Sequence, residues 1–379
     1  MNVFDPNPHT IFVTLAGSQA HGTARPGSDV DLRGVCIAPL SVRLSLFREF
    51  EQSEAPLEGS LWEQVRSRIA AHPTAANGLQ VRSESVVFEL AKFLRLCAAA
   101  NPNALEILFA DERDWLFAAP AWQSLVAQRQ QFLTKKVGQT FLGYALAQLK
   151  RIRTHRAWLL TPPKAKPSRA DFGLPDSSTL GRDDQHRIEQ GIADKIRSYG
   201  IDTLDLPKAT RVALDERLRA FWQDTLACSE EELENRMRAV ATQSLSLPVA
   251  VVATLNAERR YLAALKDWHS YQTWQNERNA ARATLEREHG YDTKHAMHLV
   301  RLMRMGLEIL NTGELRVRRQ DAAELNEIRD GSLDYDTLLT LATDLQRGLE
   351  QAVRVSHLPS DVDFAHVDAL SLSLARGSE

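Results

Sequence analysis

Gly17-Ser18-Gln19-Ala20-His21-Gly22-Thr23-Ala24-Arg25-Pro26-Gly27-Ser28-Asp29-Val30-Asp31-Leu32-Arg33-Gly34-Val35 is the stretch on which the fold reading turns. Before it, the β-branched and apolar run TIFVTLA (10–16) stops at Gly17-Ser18. After it, VDLRGVCIA (30–38) alternates with period two as far as Pro39. Two neighbouring strands are expected, joined by a helical turn over SQAHGT and by turn chemistry in ARPGS. Asp29 and Asp31 are two apart on the second strand, so both carboxylates leave one face, where they can hold hard divalent cations through oxygen. At Gly17 the missing Cβ admits phosphate oxygens, and Ser18 with the N–H groups after it can donate to them. Mg²⁺ keeps waters and substrate phosphates in its shell, so a carboxylate pair beside a Gly-Ser turn suits a nucleoside triphosphate.

An isolated Asp-x-Asp on an exposed strand face is common by chance. The order of a β run, Gly-Ser, a ten-residue gap, Asp-x-Asp and a further β run is much more specific, and it closely resembles the signature of the DNA polymerase β nucleotidyltransferase superfamily. ESVVFELAKFLRL (84–96), NPNALEILF (101–109) and KHAMHLVRLMRMGLEILNTGEL (294–315) extend the resemblance to a branch that includes the YcgL-like proteins and the RNA-repair-pathway DNA polymerase β family. Residues 176–290 carry no such likeness.

The resemblance implies that Gly17 and Ser18 form the phosphate-binding turn, and that Asp29 and Asp31 are two of three carboxylates for two Mg²⁺ (or Mn²⁺) ions. For the third it points to Glu84, at the end of the next strand candidate, where related sequences carry Asp. Glu is one methylene longer, and Glu49, Glu51 and Glu89 are alternatives.

The strand candidate LQVRSE spans 79–84, REFEQ (48–52) reads as an edge strand and LWEQVRSRIA (61–70) as a short helix. From Val86 the period turns helical, and Asn101 or Asn103 restarts a helix as a cap. After about residue 115 the pattern predicts helices at 119–132, 135–160, 181–199, 209–226, 230–245, 249–288, 293–312, 320–330 and 334–355. The expected class is α+β: a small mixed β-sheet nucleotidyltransferase domain with flanking helices over 1–112, then a mostly α-helical domain over 113–379 that binds nucleic acid or substrate.

Forty-six Lys and Arg against 49 Asp and Glu leave a net charge of −3, so attraction to a polyanion must come from local clustering. Between Trp115 and Ala170 there is no acidic residue but ten basic ones. Lys150, Arg153 and Arg156 fall near one helix face, with Tyr144, His155 and Trp158 close in sequence, and are the candidate nucleic-acid contacts. On the helix from Thr293, Lys294, His298 and Arg301 share a face opposite Met297, Leu299, Val300 and Met303, which makes them candidates for binding the nucleotide's phosphates, an acceptor phosphate or acidic neighbours. Lys92 is a weaker one. His295 and His298 lack a third ligand for zinc.

Three scattered cysteines argue against disulfides or structural zinc. The N-terminus offers neither a basic leader nor a span-length apolar run, so a cytoplasmic protein without membrane partners is expected. The oligomeric state is not legible. The expected reaction is NTP + acceptor → NMP-acceptor + pyrophosphate, with an RNA 3′ end as the acceptor. Transfer to a protein or small-molecule hydroxyl is the rival, and a nucleotide-binding regulatory module with little turnover is another.

Overall fold

The computed structural model describes residues 4–47, 49–76, 83–176, 182–201, 208–227, 249–278 and 280–377. Five strands, β1 (Thr10–Leu15), β2 (Val30–Cys36), β3 (Gln52–Ser53), β4 (Ser83–Glu89) and β5 (Trp115–Ala118), form one mixed sheet in the order β3-β4-β2-β1-β5. β1 runs antiparallel to both β2 and β5, β2 runs parallel to β4, and β3 pairs antiparallel with β4 at the edge. The architecture is α+β, a mixed sheet with flanking helices followed by mostly helical sequence.

Strand periodicity divides the sheet between two cores. Val13, Leu15, Val30, Leu32 and Val87 pack with Leu61, Val65 and Ile69 of helix α3 (Gly59–Ala71). The alternate positions point the other way. Phe12 and Val35 join the larger core, with α4 (Leu90–Ala98), α5 (Pro102–Leu108), α6 (Pro120–Val126), α7 (Lys136–Leu160) and α12 (Thr293–Thr312). The remaining helices outside 161–279 are α1 (Gly17–His21), α2 (Leu40–Arg43), α11 (Ala280–His289), α13 (Ala322–Arg329), α14 (Tyr335–Val355) and α15 (Phe364–Arg376).

Several local expectations are corrected. Val86-Val87-Phe88 extends the strand rather than opening a helix, as β-branched and aromatic residues prefer. The helix begins only after Glu89, whose side chain caps it by accepting from the Ala91 N–H at 2.6 Å. Residues 115–118, ahead of the helix predicted from 119, form the edge strand β5, and α15 continues the chain past the last predicted helix. The helix predicted at 230–245 and most of the strand predicted at 79–84 lie outside the described residues.

The chain packs as two compact units, one made of 1–160 with 280–379 and the other of 161–279. This division differs from a cut after residue 112 because Val137, Phe141 and Ala145 of α7 share a core with Val300 and Met303 of α12 and with Phe12 of the sheet. Close approach of these helices depends on two glycines. A Cβ on Gly138 would collide with Val353, and one on Gly306 would lie 3.0 Å from Leu349 and 3.2 Å from Phe141. In the second unit, α8 (Arg182–Ser198), α9 (Lys208–Ala227) and α10 (Val249–Glu277) gather around Ile192, Ile196, Ile201 and Trp222. Among the described residues no helix is long and apolar enough to cross a membrane.

Candidate active site

The end of β1 and the start of β2 build the site. The Ala16 N–H donates to the Asp31 carbonyl at 2.8 Å, which fixes the Gly17 turn against the incoming strand. Gly17 has φ +57°, and a Cβ there would strike Asp31 Oδ2, so backbone conformation and close approach both demand glycine. Asp31 and Glu84 are direct partners in the parallel β2–β4 register, and such partners project to one side of the sheet. Asp29 precedes the strand by one residue and is exposed. Burial pushes the Asp31 carboxyl above its ordinary range; Glu84 and Asp29 reinforce the shift while Arg33 and Lys294 oppose it.

The other acidic alternatives are not part of this cluster. Glu89 caps α4 at the far end of β4, and Glu51 pairs there with Lys92 at 2.8 Å. Lys92 therefore sits beside an exposed carboxylate several residues along the strand direction from Glu84, away from the Gly17 turn. Glu49 is exposed outside the strands.

Next to the Gly17 turn lies a cavity of about 1010 Å³, lined by Gly17, Asp31 and Val86 on the sheet side and by Lys294, His298 and Arg301 of α12. The amphipathic reading of α12 thus brings its polar face to the same cavity as Asp31. Its charges differ from expectation. Burial, with Arg301, His21 and Lys294 nearby, holds His298 well below the usual imidazole range, so at neutral pH it is an uncharged donor and acceptor. Arg301 is 5% exposed and its Nη1 is ion-paired with Glu106 Oε1. Glu106 Oε2 lies 3.0 Å from His21 Nε2, so α1, α5 and α12 are clasped by one buried chain. Lys294 is lowered by desolvation and by Arg282 and Arg329, the mark of cations gathered with incomplete compensation.

Residues without a sequence-level role hold the turn in place. The Arg319 N–H donates to the His21 carbonyl at 3.0 Å. Arg318 donates to Gln19 O at 3.4 Å and to buried Asp114 at 2.8 Å. Arg25, within the loop leading to Asp29, makes two bonds to Asp330 at 2.7 and 2.8 Å and one to Asn326 O at 3.0 Å. The polar Glu106 inside the apolar NALEILF run was the one legible hint of this scaffold; the arginines gave none.

The α7 basic residues separate. Lys150 and Arg153 lie on the exposed face, whereas Arg156 donates to Gly290 O at 2.7 Å and lies 4.2 Å over the Tyr335 ring. Arg156 is a packing residue. Arg151, next to Lys150, is the basic residue of this helix that lines the cavity. His295 does not pair with His298 but with His155 and Asp292, the three offering ligand atoms within 4.8 Å of one another. Asp292 is fully buried, caps α12 through the His295 N–H at 3.1 Å, and is already ion-paired with Arg282 and hydrogen-bonded to His155 at 2.9 Å. The cluster accordingly works as a bracket between α7, α11 and α12.

A Gly-Ser turn, an Asp-x-Asp motif entering a strand and a third acid on the neighbouring parallel strand resemble the layout of a polymerase-β-like nucleotidyltransferase domain. Residues 5–160 match the family model of RlaP, the RNA repair pathway DNA polymerase beta family. The match includes Gly17, Ser18, Asp29, Asp31 and Glu84 and ends where α7 ends; Lys294, His298 and Arg301 lie beyond it. No curated protein and no solved structure matches the chain.

Proposed function

We propose that the protein is a metal-dependent nucleotidyltransferase that moves an NMP from an NTP to an acceptor hydroxyl with release of pyrophosphate, and that the acceptor is an RNA 3′ end. The observation that carries this reading is the register partnership of Asp31 and Glu84, with the Asp31 carboxylate seated against bare Gly17.

Two Mg²⁺ or Mn²⁺ ions fit the donor set. Asp29, Asp31 and Glu84 are hard oxygen ligands, and burial together with their mutual repulsion disfavours the charged Asp31, a penalty that cations relieve. These three residues would hold the ions, which when bound supply charge neutralisation at the transferring phosphoryl group and a more acidic acceptor hydroxyl. Gly17 leaves room for the Asp31 carboxylate beside the turn, and the Ser18 hydroxyl donates to the phosphates. Lys294, at the cavity wall facing the acids, offsets negative charge that grows on the departing pyrophosphate. Glu84 takes the acceptor hydroxyl proton on its carboxylate. His298 contributes hydrogen bonds rather than charge, and Arg301 supports the wall through Glu106.

RNA as the acceptor rests on the RNA repair pathway family match over 5–160 and on the acid-free, basic stretch from Trp115 to Ala170, of which Lys150, Arg151 and Arg153 remain disposed to meet phosphates. The deciding experiment incubates the protein with each labelled NTP, Mg²⁺ or Mn²⁺, and a panel of RNA, DNA and protein acceptors. Label on RNA is expected. Label confined to protein would replace the RNA acceptor with a protein hydroxyl, and no label on anything would remove the catalytic reading.

A further inference from the structure

The cavity has a third wall that neither the metal acids nor α12 uses. Thr140, Gly143, Tyr144, Ala147, Gln148 and Arg151 of α7 all line it. Their spacing of three and four residues is one helical face, about 16 Å long from Thr140 to Arg151. The opposite face, Phe141, Ala145, Leu149 and Ile152, is buried in the core, so the helix cannot rotate to hide this stripe.

Gly143 is the informative position. A glycine inside a helix costs roughly 0.5–1 kcal/mol against alanine. Gly138 and Gly306 meet that cost with tight helix packing, but a Cβ on Gly143 would have no neighbour within 4 Å, and no unusual backbone angle calls for glycine there. The bare patch opens on the cavity beside Tyr144, which is 38% exposed while its hydroxyl accepts from Asn101 Nδ2 at 2.7 Å. An aromatic ring anchored at its tip and left open to a cavity is a stacking platform. Gln148 adds an amide that both donates and accepts, and Arg151 adds a cation. On the other walls of the same cavity, His21 Nδ1 and Arg301 Nε belong to side chains 3% and 5% exposed and have no hydrogen-bond partner within the protein, so the cavity is lined by buried polar atoms still to be satisfied.

We infer that this face of α7 is a nucleotide subsite: a base stacks on Tyr144 over the bare Gly143, Gln148 bonds to the base edge, and Arg151 meets the phosphate. The base comes either from the incoming NTP or from the acceptor's terminal nucleotide, and both are the same chemistry. The subsite rests on the nucleotidyltransferase reading for its place in a reaction, but not for its binding test.

Gly143→Leu fills the patch and at the same time raises helix propensity, so loss of binding without a drop in melting temperature isolates the steric effect. Binding of each NTP by calorimetry and of a short single-stranded RNA by anisotropy is measured with Ca²⁺ in place of Mg²⁺, for wild type, Gly143→Leu, Tyr144→Ala and Tyr144→Phe. A weakening of tenfold or more in Gly143→Leu and Tyr144→Ala, with Tyr144→Phe close to wild type, is expected. Weakening confined to NTP assigns the base of the incoming nucleotide, and weakening confined to RNA assigns the acceptor's. Unchanged affinity for both overturns the subsite, even if wild type transfers label. If the variants weaken binding while wild type transfers nothing, the subsite stands and the catalytic reading falls. Should Gly143→Leu melt early, the Tyr144→Ala and Tyr144→Phe pair decides alone.

Discussion

Gly17 and Asp31 are in contact across the β1–β2 junction: the space where a Cβ of residue 17 would stand is occupied by Asp31 Oδ2. The same glycine has φ +57°, so any side chain there meets both backbone strain and a carboxylate. Gly17→Ala is expected to cost about 1–2 kcal/mol in unfolding free energy and to push Asp31 out of line. Its labelled-transfer rate should drop far more than its stability does. Equal losses in both would make Gly17 a folding residue alone.

Asp31→Asn separates stability from function in the opposite direction. The native carboxyl is held above its ordinary range by burial and by Glu84 and Asp29, so the folded protein is relieved when the charge is removed. The variant should melt at the same temperature as wild type or higher. Transfer should decline by on the order of a hundredfold or more, since several kcal/mol of charge stabilisation are lost with the ions. Retained transfer at saturating Mg²⁺ would sink the assignment of Asp31.

Glu106→Gln leaves Arg301 buried with no counter-charge. Breaking a buried pair from one side costs about 3–5 kcal/mol, and denaturant unfolding should register it. The Glu106 carboxyl is held well below its usual range by Arg301 and His21, whose attraction outweighs its desolvation. Its depressed pKa means that the stabilisation is complete above the ordinary value of 4.5 and fades as the pH falls below it. In the Gln variant that acid-dependent part should be missing.

His295 provides a second pH window. Burial, against the attraction of Asp292 and with Arg282, His155 and Arg151 adding repulsion, lowers it to about 4 from an ordinary 6.5. The unfolded chain therefore takes up a proton between those values that the folded chain refuses. Stability should decline as the pH drops from 6.5 toward 4. His295→Gln should flatten that slope; an unaltered slope would assign it to other groups.

Arg156 and Lys294 should behave as opposites. Arg156→Ala removes a hydrogen bond to Gly290 O and the contact with Tyr335, worth together about 1–3 kcal/mol, and should lower the melting temperature with little effect on NTP affinity. Lys294→Ala should weaken NTP binding severalfold while leaving the melt unchanged or raised, because its positive charge sits among Arg282 and Arg329. Calorimetry and thermal unfolding on the two variants read out both axes.

Local chemistry wrote much of this protein into its sequence. The stop of a β run at Gly17-Ser18, the two-residue spacing of Asp29 and Asp31, and the polar face of α12 all follow from backbone periods of 2 and 3.6, which neighbouring residues alone specify. Asn101 as a helix cap is of the same kind. Tertiary structure decided what depends on distant segments meeting. Glu84 faces Asp31 only because β4 returns parallel to β2 in that register. Arg301 and Arg156 turned from candidate substrate contacts into buried or packed groups because Glu106, Gly290 and Tyr335 come to them from far along the chain. Which face of α7 sees the cavity was set by the core that buries Phe141 and Ile152, so the choice between Lys150 and Arg151, adjacent in sequence and both basic, belonged to packing.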